Sequence, residues 1–148
     1  MTQRQMDGIA ATHHIRDTCL CLHAQRAARA LARRFDAALR PLGLTNGQFS
    51  LLMSLNRTDA PTIGVVAGLL AMDRTTLTAA LKPLERRRLV KPAVDAADRR
   101  IRRLRLTPAG KALLLAAVET WSQAHAAIED LLAGTDVDRL RADLRALS

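Results

Sequence analysis

The chain has 148 residues, 49% of them apolar, which is long enough for one domain with a real core and too apolar for a disordered chain. Aromatics make up 2% and tyrosine is absent, so the core has to be leucine, alanine and valine, a composition that favours helices over sheets. A formal charge of +9 points to polyanionic partners: DNA, RNA or an anionic membrane.

Two cysteines, Cys19 and Cys21, are too few for a disulfide scaffold and too close for an unstrained intrachain bridge, so reduced thiols are expected. No apolar run approaches the roughly 18 to 20 residues of a membrane span, and the N-terminus lacks a signal-peptide run. The expectation is a cytoplasmic protein with no membrane partner.

Residues 1–12 are polar and expected to be loose. From about 14 to 40, Ala24, Ala28, Leu31, Phe35, Ala38 and Leu42 recur at helical steps, and Pro41 and Gly43 end that helix. Thr45 and Gln48 have capping-box spacing and start a short helix with Phe49, Leu52, Met53 and Leu55 inward. Thr62 can cap the next helix, "IGVVAGLLAM", and Asp73 the one after it, "RTTLTAALKPLERRR". Two short helices around a tight turn fit a helix-turn-helix.

On a wheel of the second of these, Leu77, Ala80, Leu81 and Leu84 share one face. Thr75, Thr78, Ala79, Lys82 and Arg86 share the other, which is short, polar and cationic and suits a major groove. Pro83 should bend or loosen the helix. "LVKPAV" (89–94) and "IRRLRL" (101–106) read as strands around the polar turn "DAADRR", and Pro92 marks an edge. Thr107-Pro108 opens a long helix to about 132, with Leu114, Val118, Trp121, His125, Ile128 and Leu132 in a heptad-like stripe that favours a partner helix. Thr135 or Asp136 caps a last helix with Val137, Leu140, Leu144 and Leu147 apolar.

The charge is local. Lys82 to Arg105 holds ten basic and three acidic residues, most of the chain's net charge. A merely solvated surface is the competing reading, and the helix-turn-helix and turn context argue against it. No phosphate loop, nucleophile elbow, triad or paired acids point to an enzyme, and His13, His14, His23 and His125 do not form a metal set. No cofactor is expected.

A helix-turn-helix followed by a basic hairpin is a winged helix-turn-helix. "FDAALRPLGLTNGQFSLL", "TIGVVAGLLAMDRTTLTAALKPLERRRLV" and "DAADRRIRRLRLTPAGKAL" resemble, in order and spacing, the MarR (multiple antibiotic resistance regulator) family of bacterial transcription factors over about residues 15–132. Arg88 departs from the glycine the family often has before Leu-Val. The implied fold is mainly α, one domain over 1–148. Its winged helix-turn-helix spans about 45–107, flanked by dimerisation helices at about 13–42 and 108–148.

The resemblance implies a sequence-specific regulator that binds a pseudo-palindromic operator in double-stranded DNA as a homodimer. It implies a repressor, released by a small aromatic or phenolic effector or by cysteine oxidation. A non-specific nucleoid-type DNA-binding protein is the alternative. Arg100 would enter the minor groove with Asp98 as its brace. Thr75, Thr78, Ala79 and Lys82 are candidates for base edges, Arg74 and Thr76 for phosphate. Arg86 and Arg99 complete the expected DNA surface, with Arg102, Arg103, Arg105 and Lys91 on or beside phosphates, unless Arg103 or Arg105 pairs with acids of the same domain.

From Cys21 to Thr45 the register also matches the family's organic-hydroperoxide-sensing branch, whose equivalent cysteine is reactive. Gln25 and Phe35 stand where two of that branch's tyrosines would be, so the thiolate's hydrogen bond is missing or comes from elsewhere, such as His23 or an arginine. Cys19 is a candidate resolving thiol in the partner subunit. Two small hydrophobes buried in the dimer helix are the competing reading. Arg26, Phe35, Phe49, Met53, Trp121 and His125 could line an effector pocket or could each be core or interface.

Overall fold

The computed structural model describes residues 8–148, so the loose segment expected over 1–12 lies outside the described residues up to residue 7. The rest of it is helical, because α1 covers Gly8–Thr18. Helix α2 (Leu20–Leu39) follows, and the single helix expected from about 14 to 40 is therefore two. The break is at Cys19, whose backbone is extended (φ −70°, ψ 108°) and whose Sγ accepts the Leu22 N–H at 3.4 Å. A thiol thus caps α2, satisfying a donor the helix start leaves open.

A 3-10 turn (Arg40–Leu42) ends at Gly43, which sits at φ 66° where a side chain would be strained. Helix α3 (Asn46–Leu55) starts with a full capping box: Gln48 N–H donates to Thr45 Oγ1 and Thr45 N–H to Gln48 Oε1, both at 3.1 Å. Phe49, Leu52 and Leu55 face inward as expected, but Met53 is 45% exposed. On the helical wheel Met53 lies beyond Phe49, off the buried arc through Leu52, Leu55 and Leu51.

Helices α4 (Ile63–Leu70) and α5 (Arg74–Arg86) meet at 103° across a three-residue turn, the geometry of a helix-turn-helix. Ala71 makes that turn in the left-handed region (φ 51°). Helix α5 runs on through Pro83 and stops at Arg86, two residues short of the expected end. Its last turn closes with Arg88 N–H donating to Glu85 O and Leu89 N–H to Leu84 O, a Schellman motif that puts Arg88 at φ 56°. The position where the family often has glycine is left-handed here, and an arginine occupies it.

Strands β1 (Val90–Val94) and β2 (Arg102–Leu106) pair antiparallel from Val90↔Leu106 to Val94↔Arg102. Thr62 bridges to Arg103, and Leu104 N–H donates to Pro61 O, so the start of α4 is stitched onto β2, which lies between it and β1. Thr107 caps α6 (Pro108–Asp130), which ends two residues before the expected 132. Helix α7 (Val137–Arg145) is capped by Asp136, the second of the two residues anticipated.

The core joins these layers. Leu39 of α2, Leu52 and Leu55 of α3, Val66 of α4, Leu77, Leu81 and Leu84 of α5 and Leu104 of β2 are fully buried. Each leucine contributes about 2 kcal/mol by leaving water. The apolar stripe of α2 is buried only at its C-terminal end, at Phe35 and Leu39, while Ala24, Ala28 and Leu31 stay exposed in the single chain. Among the described residues no single helix is long and apolar enough to cross a membrane.

Candidate nucleic-acid interface

Helix α5 is held by its inner leucines and fixed at its start by Asp73. That carboxylate accepts the Thr76 N–H at 2.8 Å and the Thr76 hydroxyl at 2.6 Å. The hydroxyl bond and then the backbone bond from Thr76 hold the Asp73 carboxyl below its usual range. The opposite face points to solvent. Arg74, Thr75, Thr78, Ala79 and Lys82 line one open depression on it, so five expected DNA contacts come together. Arg86 is exposed at the far end of the helix. Thr76 stands apart, because its hydroxyl is turned to the cap.

The wing tip is built on two aspartates. Asp98 Oδ1 accepts the Arg100 backbone N–H at 2.9 Å and Nε at 3.1 Å, and Oδ2 accepts a second guanidinium nitrogen at 3.2 Å. The Arg100 side chain remains 91% exposed, so the brace fixes its direction without hiding its charge. The guanidinium, then the Arg100 amide, lower the Asp98 pKa.

Asp95 is 8% exposed and was not among the expected site residues. Its Oδ1 accepts the amides of Ala97 (2.9 Å) and Asp98 (2.8 Å), folding the turn, and its Oδ2 accepts Arg103 Nε at 2.5 Å. Arg103 also donates to Ala60 O at 2.8 Å. The Arg103 guanidinium first, then the two amides, hold the Asp95 carboxyl below its ordinary range. Arg103 is thus an internal strut, the second of the two roles left open for it. Arg102 donates to Glu85 Oε1 at 2.6 Å, tying the wing to the end of α5. Arg99, Arg105 and Lys91 are exposed. The strut was hard to see from sequence because its partners lie 8 and 43 residues from Arg103.

The effector candidates separate. Trp121 stacks with Phe35 at 6.4 Å and Phe49 at 6.3 Å between centroids, and His125 tilts against Trp121 at 4.8 Å. These four rings join α2, α3 and α6. Met53 is exposed at the side of α3, and Arg26 is exposed on α2, about 13 Å along the axis from Phe35.

Cys21 is exposed and Cys19 half-buried, and both are free thiols. Gln25 Nε2 donates to Cys21 Sγ at 3.2 Å, and Arg29 donates to Gln25 Oε1 at 3.3 Å. The thiol's donor therefore comes from the glutamine that replaces the branch's tyrosine, at i+4 on the same helix face, and not from His23. Among the described residues no group of three His, Cys, Asp or Glu could hold a metal ion.

Comparison with known proteins bears on this geometry. A sequence profile of the MarR family matches residues 42–101. The chain is similar to the Mycobacterium tuberculosis transcriptional regulator MosR in complex with DNA. The two are 38% identical over 87% of this chain and 92% of that one, with a TM-score of 0.76. It is similar to a probable transcriptional regulator from Pseudomonas aeruginosa (26% identity, 89% and 98% coverage, TM-score 0.79). It is also similar to the transcriptional repressor CouR bound to a 23-mer DNA duplex (29% identity, 90% and 92% coverage, TM-score 0.72). CouR from Rhodococcus jostii RHA1 bound to p-coumaroyl-CoA shares the fold at 21% identity, with coverages of 88% and 92% and a TM-score of 0.73. A comparison with curated protein sequences gives no significant match.

Proposed function

The chain belongs to the MarR family of DNA-binding transcriptional regulators, is not an enzyme, and on that premise we propose that it is a homodimeric repressor of a pseudo-palindromic operator. Helix α5 is the recognition helix in this reading. Its depression of Arg74, Thr75, Thr78, Ala79 and Lys82 enters the major groove, with Arg86, Arg99 and Arg102 toward phosphates. The observation that carries the proposal is Arg100, 91% exposed at the wing tip and aimed by Asp98, in place to enter the minor groove beside that helix.

A second copy completes the molecule. Ile9, Ile15, Leu20 and Leu31 on α1 and α2, Leu115 and Val118 on α6 and Leu144 on α7 are exposed in the single chain. Burying them against their equivalents would give a two-fold dimer with half-sites about one helical turn apart. The test is fluorescence anisotropy of the full chain on a duplex of roughly 30 base pairs from its own promoter and on a random duplex of equal length, at rising salt. Promoter binding that survives salt which strips the random duplex supports the proposal. Equal loss on both would favour the non-specific, nucleoid-type alternative.

Two release routes follow from the same molecule. CouR has been captured with p-coumaroyl-CoA, and here a flat aromatic effector would dock at the edge of the Phe35, Phe49, Trp121 and His125 cluster, with Met53 beside it on α3 and Arg26 too far along α2 to reach it. Trp121 is the one tryptophan, so its fluorescence reports such binding directly. The other route is oxidation of Cys21, whose sulfur already has a donor in Gln25, with Cys19 of a partner subunit as resolving thiol. Titration with cumene hydroperoxide in a DNA-shift assay tests it: wild type should leave DNA and Cys21→Ser should stay. Wild type that stays bound through oxidation removes the redox route.

A further inference from the structure

The recognition face carries an unusual inventory of hydrogen-bonding groups, and this inference rests on the reading of α5 as the recognition helix. The exposed side chains of α5 are Arg74, Thr75, Thr76, Ala79, Lys82 and Arg86, with Thr78 half-buried among them. There is no asparagine or glutamine in Arg74–Arg86, so nothing can bond an adenine edge in the two-pronged way an amide does. The carboxylates at its two ends are both occupied. Asp73 accepts from the Thr76 amide and hydroxyl, and Glu85 accepts from Arg102 at 2.6 Å. No free carboxylate remains to accept from the cytosine amino group. What the face offers instead is cationic donors, small methyl groups and the hydroxyls of Thr75 and Thr78, gathered in the depression of Arg74, Thr75, Thr78, Ala79 and Lys82.

From this we infer that α5 reads each half-site chiefly through guanine and thymine: guanine by a cationic side chain, Lys82 first, and thymine by its 5-methyl group, which seats in the depression against the methyls of Thr75, Thr78 and Ala79. Guanine presents two acceptors in the major groove, which suits an ammonium. Thymine presents the one apolar group there, and threonine and alanine methyls cover it without needing a hydrogen bond. Adenine and cytosine are then specified through their partners on the other strand. The α5 residues that set specificity are Thr75, Thr78, Ala79 and Lys82, while Arg74 and Arg86, at its ends, hold phosphate.

The experiment starts from duplexes selected by the full-length protein out of a random-sequence DNA pool. Each thymine of a selected duplex is replaced singly by deoxyuridine, which removes the methyl and nothing else, and each guanine by 7-deazaguanine, which removes N7. Loss of one buried methyl corresponds to about fourfold in affinity. We expect one or two thymines per half-site to show that loss with wild type. The loss should vanish at the same thymine with Thr75→Ser, Thr78→Ser or Ala79→Gly. The serine variants keep the hydroxyl and the helix. The 7-deazaguanine loss should vanish with Lys82→Ala.

If deoxyuridine is harmless at every thymine while α5 variants still weaken binding or change the selected sequence, methyl readout is overturned and α5 remains the recognition helix. If neither affinity nor the selected sequence responds to any of the four α5 variants, the recognition-helix reading itself falls, and this inference with it.

Discussion

Arg103 reaches across the wing to Asp95, Nε to Oδ2 at 2.5 Å, while another of its nitrogens donates to Ala60 O at 2.8 Å on the loop before α4. One pair therefore holds the wing tip folded and the wing's base against the helix-turn-helix. Asp95→Ala should lower both thermal stability and DNA affinity, and in that background Arg100→Ala should cost much less than in wild type. A double-mutant cycle by anisotropy checks this. Additive losses would mean that the strut does not position Arg100.

The same carboxylate sets an acid dependence. Asp95, Asp98 and Asp73 are all held below their ordinary range by hydrogen bonds and ion pairing in the folded chain. A depressed folded-state pKa adds stability above the unfolded value of about 3.9, and that stability is lost as pH falls through and below it. Melting temperature should therefore drop between about pH 5 and about pH 2, and Asp95→Asn should flatten that limb. An unchanged acid limb in the variant would exclude Asp95 as a source.

Arg88 sits at φ 56°, left-handed, at the Schellman end of α5. Replacing it with glycine removes a steric cost of about 1 kcal/mol while the closing hydrogen bonds, which are backbone, remain. Arg88→Gly should raise the unfolding free energy by that amount, seen as a higher denaturation midpoint. A midpoint that falls would place the stabilising role in the arginine side chain.

Gly110 is constrained in the opposite sense. A Cβ there would stand 2.0 Å from the Leu89 carbonyl oxygen, which is backbone and also accepts the Thr107 N–H. Gly110→Ala should destabilise the fold by about 3 kcal/mol, although alanine is the better helix former. Denaturant unfolding measures it, and a stabilised variant would contradict the packing.

Much of this was legible because helix ends are local. Thr45, Thr62, Asp73 and Thr107 were identified as caps from spacing alone, and each caps the helix expected of it. The braced Arg100 came from the family resemblance, and its partner Asp98 lies two residues away. The break at Cys19 was not, because no glycine or proline marks it and the apolar period runs across. Asp95 looked like one more turn residue until its partner on the return strand was known. Met53 was assigned inward because α3 buries a wide arc, and only packing shows where that arc ends. The Gln25 donor to Cys21 has an i, i+4 spacing, but the family pattern points to a tyrosine there and so hides that a glutamine amide can donate equally.

The structure also selects the right control for the wing. Arg103 is a strut, so its removal disturbs the tip as well as the charge, whereas Arg105 is exposed and leaves the Asp95 network untouched. The most direct measurement is anisotropy of wild type, Arg100→Ala and Arg105→Ala on the promoter duplex over a salt series. Arg100→Ala should lose about tenfold or more, and Arg105→Ala no more than about threefold, the difference between a groove-inserted guanidinium and a phosphate contact. Equal losses for the two variants would contradict a specialised wing-tip arginine and leave bulk charge as the explanation.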